Sequence, residues 1–223
     1  GINTNSTMAV TTAQVTLGMG SLGTLQLNED GGSKANAIDD VMPTAMQETW
    51  DRVADVNSTN PSFFGSSTAQ GSVDYRIPTQ EIAGLTVNFA ATYDPNVGEE
   101  SSNASSGALA TNVSGDAYVL QLSAMGLEVG LGQETLANGQ GLAAGTDEEN
   151  TTAYVKYSNG PISIGYQEAY ADNRHAQGTI GRDNEAEFWG IKYSADGIAV
   201  SYAESEYLTK ATSDTAASLT QEL

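Results

Sequence analysis

The chain of 223 residues has no cysteine and a single histidine. The first absence removes disulfide and thiolate chemistry, and it suits an envelope or secreted protein as well as a cytosolic one. The histidine, His175, stands in Asn173-Arg174-His175-Ala176, with no serine–aspartate or metal-ligand spacing around it. It reads as a solvated loop side chain, and no enzyme activity is expected. Basic residues are also scarce: 8 Lys and Arg against 28 Asp and Glu give a formal charge of -20. A nucleic-acid partner needs clustered cationic side chains and is excluded on that ground. The excess of acid favours cations instead, bound loosely or moving past. No run approaches the roughly 18 apolar residues of a membrane helix. The apolar fraction, 39%, is low for a buried globular core. Residues 1–7 are polar and carry no basic start or apolar stretch, so the chain is expected to be mature or a piece of something longer.

What the sequence does have is alternation. In Leu85–Asp94, Leu85, Val87, Phe89, Ala91 and Tyr93 share one face, and Thr86, Asn88, Thr92 and Asp94 share the other. Similar period-two patterns recur at residues 12–20, 24–28, 72–77, 118–124, 127–134, 154–157, 162–167, 189–194 and 198–202. Each is bounded by turn residues such as Ser158-Asn159-Gly160 and Ala195-Asp196-Gly197. About ten half-apolar strands need a covering for their greasy faces, and the rest of the chain holds too little apolar material to supply one. Faces that do not meet protein can meet lipid, provided the strands close into a barrel.

The connections sort into two sets. Short turns are expected near 21–23, 78–84, 125–126, 158–161 and 195–197. Long acidic loops are expected near 29–71, 95–116, 136–150, 172–187 and from 209 onward. That asymmetry suits a barrel crossing a membrane, with tight turns on one side and long loops on the other. Eight of the ten apolar faces carry no charge; Glu168, Glu204 and Glu206 break the rule, in the half nearest the long loops. Tyr75, Tyr93 and Tyr118 near long loops, with Tyr157 and Tyr193 near short turns, fall where interfacial girdles belong.

The insertion at 29–71 differs from the other loops. Asn36 can cap a short helix over residues 37–42, and Pro43 suits the first position of a second helix reaching Val53. Trp50, Phe63 and Phe64 are anchors that a solvated tip would waste. Glu29, Asp30, Asp39, Asp40, Glu48, Asp51 and Asp55 are carboxylates that would face an aqueous space if the loop folds inward. A surface lid with a solvated charged face is the alternative. Asp147-Glu148-Glu149 could hold a divalent cation such as calcium loosely, but lacks the spaced oxygens of a defined loop, and no cofactor is required.

The run Gly18-Met19-Gly20-Ser21-Leu22-Gly23-Thr24-Leu25-Gln26-Leu27 resembles the hairpin before the constriction loop of general diffusion porins. Gly71-Ser72-Val73-Asp74-Tyr75-Arg76-Ile77-Pro78 and Ile82-Ala83-Gly84-Leu85 resemble the strand pair after it. The likeness is to porins of alphaproteobacterial type; it spans the chain as a pattern and is close over residues 14–94. It implies an all-β transmembrane barrel of sixteen strands, about ten visible here, with this chain an interior portion of a single domain. It further implies a homotrimer in the bacterial outer membrane, contacting lipid and lipopolysaccharide, with residues 29–71 as a helical constriction loop. Its loop acids would face a basic wall, to which Arg76 belongs, while Lys156 and Lys192 would tune the vestibule. Small polar solutes and cations would then diffuse through passively, with weak cation selectivity. Two other readings remain open: a soluble acidic β-rich surface protein of adhesin or capsid-decorating type, and a channel specific for one solute.

Overall fold

A computed structural model describes residues 13–30, 38, 41–45, 71–97, 113–136, 148–172, 182–211 and 217–222. The described chain is all-β. Twelve strands form one antiparallel sheet, and the only short helix in the strand order is a single 3-10 turn, Gly20–Leu22. The strands are β1 (Ala13–Gly18), β2 (Thr24–Asp30), β3 (Ser72–Arg76), β4 (Gln80–Ile82), β5 (Leu85–Val97) and β6 (Val113–Ala124). They continue as β7 (Leu127–Leu136), β8 (Glu148–Asn159), β9 (Ile162–Asp172), β10 (Arg182–Ala195), β11 (Ile198–Ala211) and β12 (Ala217–Glu222). Eleven run as an uninterrupted meander in chain order, and β4 pairs with β5 alone.

The short connections have the chemistry a meander needs. Ala83-Gly84, Met125-Gly126 and Asp196-Gly197 each place two successive residues at positive φ, the geometry whose twist matches that of flanking strands. Glycine is required at 126 for a second reason, because a Cβ there would collide with the carbonyl oxygen of Ser158. Pro78 stops β3, as a residue without an N–H must. The ladder resumes two residues later as β4, so β3 and β4 are one strand with a gap, held across it by the Ile77 N–H donating to Phe89 O at 3.2 Å. Pro95 lies inside β5, where the register slips between Asp94 and Val97.

Several expected boundaries move. β2 runs through Asp30, so Glu29 and Asp30 end a strand and the insertion proper spans residues 31–71. β8 begins at Glu148, which puts Glu148 and Glu149 in a ladder with β7 and β9, not in a loop. β10 begins at Arg182, and β12 occupies part of what reads as a terminal loop, leaving only residues 212–216 between β11 and β12. Of the two expected helices, Val41–Ala45 carries no helical turn, while Ile38, within the first, has 3-10 geometry. The remaining residues of both lie outside the described residues, apart from Ile38. Tyr75 also moves, since its hydroxyl donates to Leu22 O at 2.7 Å and places it beside a short turn.

Burial along the strands is inverted relative to a water-soluble sheet. Gln26, Asn28, Asp74, Thr92, Glu134, Asn150, Thr152 and Gln167 are buried, Asp74, Glu134 and Gln167 completely. The opposite face keeps Val15, Leu17, Leu131, Ile164, Ile191, Val200 and Tyr202 exposed, Val15 at 66% and Val200 at 61%. Tyr93, Tyr118, Tyr157 and Tyr193 stand exposed on the same apolar face. Among the described residues no second layer covers it. Exposed apolar patches on ordinary soluble monomers are limited to a few hundred Å²; here one face of nearly every strand is apolar and bare.

Candidate channel wall and its inserted strap

The polar face carries two hydrogen-bonded clusters. In the first, Asp74 gathers three donors: Asn28 Nδ2 at 2.8 Å, Thr92 Oγ1 at 2.5 Å and Arg76 Nη2 at 3.5 Å. Arg76 also donates to Gln26 Oε1 at 2.9 Å. The register explains the grouping, since Gln26, Asp74 and Thr92 are direct neighbours across β2, β3 and β5. A buried carboxylate with several donors is satisfied rather than costly. Arg76 lies on the polar face, with its guanidinium tied to Asp74 and Gln26 on that face. Beside it a cavity of about 480 Å³ opens at the Pro78 gap, lined by Thr24, Arg76, Thr79, Asn88 and Gln121 among others.

The second cluster sits nearer the short turns. Lys156 Nζ lies 3.3 Å from Glu128 Oε1, and the Tyr154 hydroxyl donates to the same carboxylate at 2.7 Å. Gln121 Nε2 donates to the Tyr154 oxygen at 2.9 Å. The Tyr154 ring lies directly over Gly130, its neighbour across the ladder, and leaves no space there for a Cβ. Gly130→Ala should therefore displace the ring and lose about 1–3 kcal/mol through overpacking. Equilibrium unfolding against Gly18→Ala, where a Cβ meets nothing within 4 Å, measures this; equal stability of the two variants refutes it. Lys192 is half-buried on the same face, between Ser163 and Ser201 in the ladder.

Against this polar wall lies the described part of the insertion. Ile38 and Met42 are buried on a patch made by Ala117 and Val119 of β6, Tyr154 of β8, Ala169 of β9 and Ala186 and Phe188 of β10, with Val41 and Tyr207 packed at its edge. The Phe188 and Tyr207 rings meet edge to face at 5.8 Å. An apolar patch on an otherwise hydrophilic face serves to seat something, and the strap occupies it. Gln167 fastens the strap at one end: Val41 N–H donates to its Oε1 at 3.1 Å, and its Nε2 donates to Ile38 O at 2.9 Å. A single primary amide thus satisfies one backbone donor and one backbone acceptor, as a neighbouring strand would. At the other end Ala45 N–H donates to Ser201 Oγ at 2.8 Å. Gly165 and Gly190, opposite each other in register, form the slot between. A Cβ at Gly165 would stand 2.8 Å from Pro43 Cδ and 3.2 Å from Met42 Sδ.

Residues 38 and 41–45 of the insertion therefore lie against the polar face of the sheet. Asp39, Asp40, Glu48, Asp51, Asp55, Trp50, Phe63 and Phe64 lie outside the described residues, as does His175. Gln167, Ser201, Gly165 and Gly190 do not stand out in the sequence. Their role depends on a register that brings three strands, β9, β10 and β11, together. Among the described residues no group of acidic or histidine side chains is arranged to hold a metal ion. No protein-family model matches the chain, and no curated protein is significantly similar to it.

Proposed function

We propose that this chain forms the wall of a water-filled channel across a bacterial outer membrane, through which small hydrophilic solutes and ions diffuse passively. The single observation that carries the reading is the inversion of the sheet. Carboxylates, amides and hydroxyls are buried together on one face, while aliphatic and aromatic side chains stand bare on the other. In water that arrangement leaves the apolar effect unused. In a bilayer the bare face is solvated by acyl chains and the polar face borders the aqueous space. β1 and β12 end the path of the sheet and are not paired with each other. Lipid tolerates no open edge, so a closed wall needs further strand pairing at both, as the resemblance to trimeric porins implies.

The strap would narrow the lumen, and the acidic excess would lower the barrier for cations. A soluble sandwich would instead require a second sheet over Val87, Phe89, Leu120 and Leu122, and the described residues form only one. The purified protein added to a planar bilayer in a salt gradient should give stepwise conductance with a cation-favouring reversal potential. A bilayer that stays silent, or a protein monodisperse without detergent, overturns the reading.

A further inference from the structure

The apolar face is not uniform. Across β9, β10 and β11 the ladder sets Glu168 opposite Glu187 and Glu187 opposite Glu206, three carboxylates in one row. Glu185 lies one row away on the same face of β10, paired with Tyr170 and Leu208. Like charges directly opposite on a sheet repel, and carboxylates on a face bathed in acyl chains are unfavourable again. Traced the other way, the same row runs from Glu168 through Ala153, Leu131 and Leu120 to Phe89.

This row is the floor of a groove of about 720 Å³ on the apolar face. Its lining is graded. Phe89, Tyr118, Leu120 and Leu131 make a greasy end on β5–β7, and the small side chain of Ala153 leaves the middle open. Glu168, Glu185 and Glu187 make an anionic end on β9 and β10. From β5 to β10 the groove crosses five inter-strand steps, about 24 Å. One leaflet's acyl chains reach about 15 Å, half the hydrocarbon thickness, so the groove accommodates one tail and its head.

We infer that this groove binds a single membrane amphiphile with a cationic ammonium head, the head against Glu168 and Glu187 and the tail along Leu131 toward Phe89. Charge complementarity selects the occupant. The carboxylates stand in a line along the ladder, not around a centre, which suits an ammonium group better than a chelated metal. Tyr166 adds a neutral donor, its hydroxyl donating to Glu168 Oε1 at 2.5 Å, which removes none of the row's own negative charge. An anionic or phosphate-bearing head would meet repulsion at the same end.

The proposal rests on the apolar face lying in a membrane, and its test is independent of conduction. Protein purified in dodecyl maltoside is titrated with dodecyltrimethylammonium or with dodecylphosphocholine, which share one tail length, and retained molecules are counted by native mass spectrometry. One dodecyltrimethylammonium per chain should be retained, at least tenfold more strongly than the zwitterion. Glu187→Gln and Glu168→Gln should each lower retention about tenfold. Ala153→Trp, which plugs the groove and keeps every carboxylate, should abolish it. Equal retention of cation and zwitterion, or full retention by Ala153→Trp, overturns the proposal. All three positions are exposed, and should Ala153→Trp fail to fold, Thr151→Trp, in the next row of the same groove, replaces it. A protein that conducts but lacks selective retention refutes the groove alone; one that retains the cation but never conducts refutes the channel alone.

Discussion

Val155→Arg should destabilise the folded protein in a bilayer by about 2–4 kcal/mol. Val155 lies midway along the apolar part of β8, between Tyr157 and Ala153, with Val129 and Tyr166 beside it in the ladder, and it is 42% exposed. In water an exposed strand position accepts arginine within about 0.5 kcal/mol either way. The two solvents therefore give answers different enough to decide between a lipid-facing and a water-facing sheet. Reversible unfolding from lipid vesicles, compared with Val155→Leu, supplies the measurement. An arginine variant as stable as the leucine one would mean that acyl chains do not touch this face.

A cross-link between strap and wall is the second large effect. A Cβ built at Gly190 lies 3.4 Å from Met42 Cβ, close to the separation of paired cysteines. The chain has no cysteine of its own, so Met42→Cys/Gly190→Cys leaves a single pair to oxidise. Mild oxidation should convert nearly all of the protein to the disulfide form, without altering the unitary current. Gln167→Ala acts in the opposite sense. It orphans the Val41 N–H and the Ile38 carbonyl, at a cost of about 1–3 kcal/mol, and should raise current fluctuations as the strap loosens. Adding the cysteine pair to Gln167→Ala should restore the quiet current when oxidised and lose it again on reduction. Failure of the pair to form, or a Gln167→Ala current identical to the parent's, would show that the strap is not held there.

The sheet was largely readable because its signal is local. Leu85 to Tyr93 declares two faces within nine residues, and Ala83-Gly84 or Asp196-Gly197 declares a turn within two. What escaped is where chemistry contradicts pattern. Residues 182–187 read Arg-Asp-Asn-Glu-Ala-Glu, composition that looks like a loop, yet they extend β10 because β11 pairs with all of them and β9 with residues 184–187. That extension places Glu185 and Glu187 on the apolar face, beyond the exceptions at Glu168, Glu204 and Glu206 that alternation reveals. β12 lacks strong alternation in Ala217–Glu222 and is defined by pairing with β11. The strap seat is non-local in the same way. Ala117 and Val119 of β6 and Phe188 of β10 are apolar residues on the polar face, and nothing in linear order says that they meet. The acids and aromatic anchors expected from residues 46–71 lie outside the described residues.

The contacts that hold the strap have one further implication. Ile38, Met42 and Pro43 are held by hydrocarbon packing, and Val41 and Ala45 by an uncharged amide and a hydroxyl. Coulomb attraction between mobile ions and carboxylates fades as electrolyte thickens, but these fastenings are indifferent to it. In the proposed channel, the exclusion size should accordingly stay constant from dilute buffer to brine, even as ion preference collapses.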